Sequence, residues 1–254
     1  MPMVANLYYH AYREADRERL PVVLIHGAGG SHLHWPSRIR RLAAYRVYAP
    51  DLPGHGKSGG FGGQSIQSYV QALLEWLEEI GLTRAVFVGH SMGSAIAQVL
   101  ALEHSDQVLA LGLVGSASRL RVAPQLIEYA AHPTSFHKAV ETIANWSYSP
   151  TAPPELVALA LKRMREVRPS VLYGDLLACD AYDQTERIGD IHQPTLIVCG
   201  QEDRMTPVRN SLFLADHLAR SQLCIIPAAG HMVMLEQPQV VEEALLGFLA
   251  HVEY

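Results

Sequence analysis

The chain of 254 residues has only three cysteines, no long apolar run and no block of like charge. Three cysteines are too few for a disulfide framework, and two of them lie in apolar runs where a thiol acts as a small hydrophobic side chain. No apolar stretch approaches the roughly 18 residues that a membrane-spanning helix needs. The N-terminal segment also lacks a cationic start followed by an apolar core. We therefore expect a cytoplasmic protein without a membrane span.

The charge balance argues against the commonest macromolecular partners. The net charge is -5 at pH 7 and no cationic run stands out, so we expect neither nucleic acid nor an anionic membrane surface as a partner. A small neutral or weakly charged molecule is the expected ligand, bound by a monomer or a homodimer. His32 and His34 lack a third ligand at the spacing of a metal site, so no metal is expected.

Two glycine-rich stretches begin like nucleotide-binding motifs and do not complete them. Residues 27–29 start like a dinucleotide fingerprint, but His32 stands where the third glycine belongs. The stretch "DLPGHGKS" ends like a phosphate-binding loop, but Asp51 occupies the first glycine position. Pro53 also removes an amide that the phosphate cradle would use. We therefore expect no cofactor.

Short apolar runs rich in Val, Ile and Leu predict strands that are buried on both faces. They lie at residues 7–12, 22–25, 47–49, 85–88, 108–114, 195–199 and 223–226. Helical patterns separate several of them, at residues 64–80, 91–103, 154–167 and 238–252. Thr206 followed by Pro207 predicts an N-cap and a further helix to about residue 219. Strands that alternate with helices favour an α/β fold, with a mostly parallel sheet covered on both faces.

The alternation stops between residues 116 and 190, where six prolines stand among helix-like pieces. No convincing strand occurs there, so this segment is interpreted as a helical insertion over the sheet. The predicted organisation is a core formed by residues 1–115 and 191–254, with residues 116–190 as a cap.

The stretch "GHSMG", residues 89–93, fits the pattern G-x-S-x-G. In this pattern a strand turns into a helix so sharply that only glycine clears the neighbouring backbone, and the serine hydroxyl is left exposed at the turn. A buried strand precedes the stretch and a slim, alanine-rich helix follows it. We predict that Ser91 is a nucleophile; the alternative is that it only caps the helix.

A serine hydroxyl needs a base within hydrogen-bond reach and a carboxylate that orients the base. Asp203 and His231 follow the strands at 195–199 and 223–226, so both fall at the sheet edge that carries Ser91. The alternatives are Glu202 for the acid, and His217 or His251 for the base. The latter two lie in predicted helices.

Acyl transfer also needs backbone amides directed at the developing oxyanion. One is the amide of Met92, the residue after the nucleophile. The second is expected in the loop after the strand at 22–25, where glycines let the backbone turn an amide inward. We assign it to Ala28, with Gly29 as the alternative.

Five stretches together resemble the α/β-hydrolase superfamily: "HGAGG", "DLPGHGKS", "GHSMGS", "GQEDRMTP" and "AAGHMVMLEQP". The resemblance covers the chain outside the insertion, and it implies a doubly wound, mostly parallel sheet of about eight strands with a helical cap. Ser94 departs from it, because many relatives carry glycine there. His26 and His55 are interpreted as structural.

The resemblance implies a serine carboxylic ester hydrolase that acts on small or medium acyl chains. Cleavage of a carbon–carbon bond, a lactone or a thioester by the same triad is the alternative, and a ligand receptor is a weaker one. Gly27, Trp146 and Tyr148 are the expected substrate contacts. The insertion offers further candidates for pocket walls and for anion partners: Phe136, Tyr173, Tyr182, Arg119, Arg121, Arg163, Arg165 and Arg168.

Overall fold

The computed structural model describes residues 3–254. The strands in chain order are β1 (Met3–Val4), β2 (Leu7–Tyr12), β3 (Pro21–Ile25), β4 (Arg46–Pro50), β5 (Ala85–His90), β6 (Val108–Val114), β7 (Thr195–Gly200) and β8 (Ser221–Ile226). The helices are α1 (Ser37–Arg40), α2 (Ile66–Glu79), α3 (Met92–Glu103), α4 (Pro124–Ala131), α5 (Phe136–Ser147), α6 (Pro154–Arg165), α7 (Pro169–Asp180), α8 (Val208–His217), α9 (Val233–Glu236) and α10 (Pro238–Leu249). Within residues 3–254, every helix is too short or too polar to cross a membrane.

The eight strands form one sheet in the order β1-β2-β4-β3-β5-β6-β7-β8. Strands β3 to β8 pair in parallel, and β2 pairs antiparallel with both β1 and β4. Strand β4 pairs with one edge of β3, and the next strand in the chain, β5, pairs with the other edge of β3. This reversal opens a crevice at the carboxyl ends of β3 and β5, where doubly wound sheets bind their ligands.

Helices cover both faces of the sheet. One face packs against α2, α3 and α8, through side chains such as Trp76 and Leu214. The opposite face packs against α1 and α10, through side chains such as Ile39 and Leu245. The central strands have apolar side chains on both sides because both faces are covered, which explains their uninterrupted apolar runs. The predicted α/β class and the doubly wound sheet of about eight strands are confirmed.

Helices α4 to α7 stand between β6 and β7. Buried side chains of α4, α5 and α7 form a separate hydrophobic cluster, which includes Leu126, Phe136, Val140 and Leu172. No strand of the sheet comes from this segment, although an isolated bridge pairs Arg119 with Asp183. That residues 116–190 form a cap distinct from the core stays a prediction.

Three local predictions were wrong. Pro207, not Thr206, is the N-cap residue of α8, because the Thr206 hydroxyl donates to Asp203 instead. Strands β2 and β8 are not buried on both faces: β8 has a single neighbouring strand, and most of its side chains are partly exposed. The two-residue strand β1 was missed because so short a pairing leaves no periodic pattern.

Candidate active site

Ser91 occupies the sharp turn between β5 and α3. Its backbone has φ +54° and ψ -117°, a region that residues with a Cβ rarely adopt. A Cβ at Gly93 would collide with the Ile25 carbonyl oxygen, and one at Gly89 would collide with the Gly93 carbonyl oxygen. The two glycines therefore let the start of α3 pack directly on the ends of β3 and β5, with the Ser91 side chain at the turn.

Asp203 and His231 come together from the loops after β7 and β8. Asp203 Oδ2 lies 2.8 Å from His231 Nδ1, and the two residues are 5% and 3% exposed. Because the carboxylate accepts a hydrogen bond from Nδ1, the neutral ring has its lone pair on Nε2, where a general base needs it. No hydrogen bond joins His231 to Ser91 among the described residues, and such bonds are often long before a substrate binds.

The Asp203 carboxylate accepts hydrogen bonds from other residues of its own loop. Oδ1 accepts from the amides of Met205 and Thr206 at 2.9 and 2.8 Å, and Oδ2 accepts from the Thr206 hydroxyl at 2.8 Å. Burial by itself would raise the pKa of Asp203. The electrostatic interaction and the hydrogen bond with His231, together with the Thr206 donors, hold that pKa below its ordinary value of 3.8. Asp203 is therefore ionised at neutral pH.

The alternative acid and bases lie outside this arrangement. Glu202 makes no hydrogen bond to a histidine, since His231 Nδ1 is already bound to Asp203 and Thr206. His217 and His251 are exposed, and each ring lies within hydrogen-bond distance of the carbonyl oxygen four residues earlier in the chain. The structure therefore brings together Asp203 and His231 rather than any of these alternatives.

The two amides predicted for the oxyanion belong to Met92, which follows Ser91 in the chain, and to Ala28, which lines the same cavity as Ser91. Met92 is the first residue of α3, so its amide has no acceptor within the helix. Within residues 3–254, the amides of Ala28 and Met92 donate to no other group. The amide of Gly29, the alternative, donates to Asp175 Oδ2 at 2.8 Å. The arrangement thus favours Ala28 over Gly29 as the second donor.

Asp175 is a buried carboxylate that the sequence did not single out. It lies on α7, is fully buried, and accepts hydrogen bonds from Gly29 N and His55 Nε2, both at 2.8 Å, and from the Tyr69 hydroxyl. Burial by itself would lower the pKa of His55, but the charge and hydrogen bond of Asp175 raise it above its ordinary value. One carboxylate therefore joins the helical insertion to the loop that carries Ala28.

Three other histidines near the site are kept neutral: His26 and His90 are buried, and His34 is partly buried. Burial, followed by the nearby imidazoles, lowers the pKa of His26 and His90 well below the usual 6.5 and that of His34 to about 4. His26 Nε2 accepts a hydrogen bond from the Leu52 amide at 3.0 Å, as expected for a structural residue. His90 Nε2 lies 3.0 Å from the His231 carbonyl oxygen, so it braces the loop that carries the candidate base.

A cavity of about 680 Å³ opens beside Ser91 and Ala28. Trp146, one of the predicted substrate contacts, lines its wall. Tyr148 does not reach the cavity, because it is only 5% exposed and packs in the hydrophobic cluster of the opposite sheet face. Gly27 is buried as well, and a Cβ there would stand 3.1 Å from the Ser91 Cβ, so its part is to let the loop approach Ser91.

Of the other candidates in the insertion, Arg119 and Arg121 line the cavity. The sequence missed Arg204 and Arg209, which also line it, although both stand close to Asp203 along the chain. The remaining candidates pack in hydrophobic clusters or lie elsewhere on the surface: Phe136, Tyr173, Tyr182, Arg163, Arg165 and Arg168. Within residues 3–254, no three His, Cys, Asp or Glu side chains are grouped so as to hold a metal ion.

This chain is similar to several known proteins. A pimeloyl-(acyl-carrier protein) methyl ester esterase of Pectobacterium carotovorum is 27% identical, over 96% of this chain and 99% of its own. A 2-hydroxy-6-oxo-6-phenylhexa-2,4-dienoate hydrolase of Burkholderia cepacia is 26% identical, over 91% and 87%. The solved structure of a thermophilic esterase, 33% identical, superimposes with a TM-score of 0.82 over 98% of this chain and 96% of its own.

The sequence profile described as the Alpha/beta hydrolase family matches residues 22–244. That range runs from β3 to α10 and includes the elbow at Ser91, the loop of Asp203 and the loop of His231. Because the match extends over most of the chain and the sheet has the expected order, this protein belongs to the alpha/beta hydrolase family.

Proposed function

We propose that this protein is a serine hydrolase that cleaves carboxylic esters of small or medium acyl chains. Ser91 is the nucleophile, His231 the general base and Asp203 the residue that orients the imidazole. The amides of Ala28 and Met92 bind the oxyanion. Hydrolase chemistry is supported by the family, and both an esterase and a carbon–carbon bond hydrolase stand among the relatives.

The proposed reaction runs through an acyl-enzyme. Ser91 Oγ attacks the ester carbonyl carbon while its proton passes to His231 Nε2, and the carbonyl oxygen takes up the negative charge. The tetrahedral intermediate collapses, the alcohol leaves with the proton from His231, and the acyl group stays on Ser91. Water then attacks the acyl-enzyme with His231 as base, which releases the carboxylic acid and restores the serine.

The observation that carries the proposal is the 2.8 Å hydrogen bond between Asp203 and His231, on the loops after β7 and β8. This hydrogen bond occupies His231 Nδ1 and leaves Nε2 available to accept a proton. Ser91 follows β5 at the same edge of the sheet. Two amides without a partner among residues 3–254 support the proposal: that of Met92, which follows Ser91 in the chain, and that of Ala28, which lines the same cavity as Ser91. A base, its orienting acid, a nucleophile and oxyanion donors are the complete requirement for acyl transfer.

Replacement of Ser91 tests the assignment. We expect Ser91→Ala to lower kcat for 4-nitrophenyl butyrate by roughly 10⁴- to 10⁶-fold, because the covalent step is lost. Ser68→Ala is the matched control, since Ser68 is exposed on α2. A fluorophosphonate probe should label the unaltered protein and the control but not Ser91→Ala. Undiminished turnover by Ser91→Ala would reject the nucleophile.

A second candidate is hydrolysis of a carbon–carbon bond in a diketone-like substrate. The relative from Burkholderia cepacia, which is 26% identical over 91% of this chain, favours it. A panel of ester, thioester, lactone and diketone substrates separates the two, with Ser91→Ala as the blank. Rapid diketone cleavage together with negligible ester turnover would replace the first proposal by the second.

We also propose that residues 116–190 act as a cap on this site. The support is that several of these residues, Trp146 and Leu176 among them, line the cavity beside Ser91. A cytoplasmic location and a monomeric or homodimeric state stay predictions.

A further inference from the structure

The cavity beside Ser91 has a charge opposite to that of the whole chain. The chain has 20 basic and 25 acidic residues, a net charge of -5. Four arginines line the cavity, whereas none of its lining side chains is Asp or Glu. The expectation of a neutral or weakly charged ligand came from the overall charge, and this local arrangement departs from it.

The arginines come from two separate segments that meet at the cavity. Arg119 and Arg121 follow β6, and Arg204 and Arg209 lie between β7 and the first turn of α8. Arg119 is already paired with Asp183 at 3.2 Å. Among residues 3–254, the other three have no carboxylate within 4.0 Å. Three guanidinium groups are therefore free to bind an anion.

Polarity changes between the opening of the cavity and its interior. The arginines are exposed, so they mark the side that faces solvent. Leu126 and Leu176 are only 3% and 4% exposed and form apolar wall inside. An apolar chain with a charged end fits this order, because the chain is buried among leucines while the anion stays with the arginines.

We propose that the substrate of this site carries an anionic group, a carboxylate or a phosphate, at the end of an acyl chain remote from the bond that is cleaved. Arg121, Arg204 and Arg209 bind that group, since the planar guanidinium pairs with either oxyanion through two hydrogen bonds. The inference rests on the proposed function of Ser91, because Ser91 lines the same cavity as the arginines.

Matched esters test the inference. Mono-4-nitrophenyl adipate ends in a carboxylate, 4-nitrophenyl hexanoate has the same chain length without charge, and 4-nitrophenyl 6-phosphonooxyhexanoate ends in a phosphate. We expect kcat/KM to be at least about 10-fold higher for one of the two anionic esters, mainly through KM, with a smaller preference at 0.5 M NaCl. The faster anionic ester identifies the oxyanion. Equal or faster turnover of the hexanoate would overturn the inference.

Replacement of the arginines tests whether they cause the preference for anionic esters. We expect the Arg121→Gln, Arg204→Gln, Arg209→Gln triple variant to bring the anionic-to-neutral ratio of kcat/KM close to one. Arg84→Gln is the matched control, because Arg84 is exposed at the start of β5, the sheet edge opposite Ser91. The control should retain the full ratio. A triple variant that keeps the preference would also overturn the inference.

A binding measurement separates this inference from the proposed function. Titration of adipate into Ser91→Ala by calorimetry requires no turnover, and we expect saturable binding that the triple arginine replacement weakens at least about 10-fold. Binding that the replacement does not weaken contradicts the anion site, whatever the activity. Turnover that Ser91→Ala does not reduce contradicts the nucleophile, whatever the adipate result.

Discussion

Ser91 is held in an unfavourable backbone conformation by its neighbours. A φ of +54° in a residue with a Cβ costs roughly 1–3 kcal/mol. The Ser91 amide donates to the Val114 carbonyl oxygen at 2.9 Å, and the Ser94 amide and hydroxyl donate to the Ser91 carbonyl oxygen at 2.8 and 2.6 Å. The Ser94 hydroxyl thus adds a hydrogen bond that stabilises the elbow.

Thr206 is expected to support the candidate acid. Thr206→Val removes the hydroxyl that donates to Asp203 Oδ2 at 2.8 Å while the side chain keeps its volume. We expect the free energy of unfolding at pH 7 to fall by about 1.5–3 kcal/mol, the usual value of a hydrogen bond to a charged group. Urea titration of the purified variant measures it.

Thr206→Ser is the control, because it keeps the hydroxyl, and it should retain most of the stability. The pKa of Asp203 is lowered in the folded protein, so its contribution is present above pH 3.8 and is lost as the pH falls through the folded value. Loss of the Thr206 hydroxyl donor makes the contribution of Asp203 to the free energy of unfolding smaller. Equal stability of the Val and Ser variants would contradict the role of the hydroxyl.

One carboxylate, that of Asp175, joins helix α7 to the loops that carry Gly29 and His55. Asp175→Asn keeps the shape of the side chain but removes the charge that faces His55 and two further donors. We expect the free energy of unfolding to fall by about 3–5 kcal/mol, as when one partner of a buried ion pair is removed. Because Gly29 follows Ala28 directly, kcat should also fall, by roughly 10- to 100-fold.

Chemical unfolding and ester kinetics measure the two effects of Asp175→Asn. Asp190→Asn is the matched control, since Asp190 is exposed and outside the network. The folded pKa of His55 is raised, so its ionic contribution is complete below pH 6.5 and is lost as the pH rises through the folded value. An Asp175→Asn protein as stable as the control would show that the carboxylate does not hold these elements together.

The elements themselves were predictable where periodicity is strong. Strand β6 matches its predicted bounds, and α3 and α10 begin within one residue of theirs. Strand β8 shows the limit of such prediction. Its apolar run resembles that of a central strand, but its position at the sheet edge leaves side chains partly exposed. Strand order depends on pairing between distant segments, so a local pattern cannot specify it.

The whole molecule is expected to lose stability in mild acid. Partly buried His34 has a folded pKa of about 4, and the pKa values of buried His26 and His90 are also well below 6.5. Between these folded values and pH 6.5 the unfolded chain binds more protons than the folded one, so acid favours unfolding. For His34 alone we expect a loss of about 3 kcal/mol between pH 6.5 and pH 4.

Urea unfolding at a series of pH values measures this dependence. His34→Gln should give a shallower fall than the unaltered protein, whatever its stability at pH 7. His251→Gln is the control, because that histidine is exposed and lies outside this group of histidines. If His34→Gln leaves the pH dependence of the free energy of unfolding unchanged, the assignment of a neutral His34 ring in the folded protein is contradicted.

The sequence by itself determined the α/β class, most strand positions, the elbow at Ser91, and Asp203 and His231 as candidates. Each of these depends on a local pattern: an apolar run, flanking glycines, or a polar residue directly after a strand. Only the tertiary structure decided that Asp175 and Thr206 partner buried groups, that Trp146 rather than Tyr148 lines the cavity, and that four arginines share one opening. These features join side chains far apart in the chain, so they depend on how whole elements pack rather than on any local pattern.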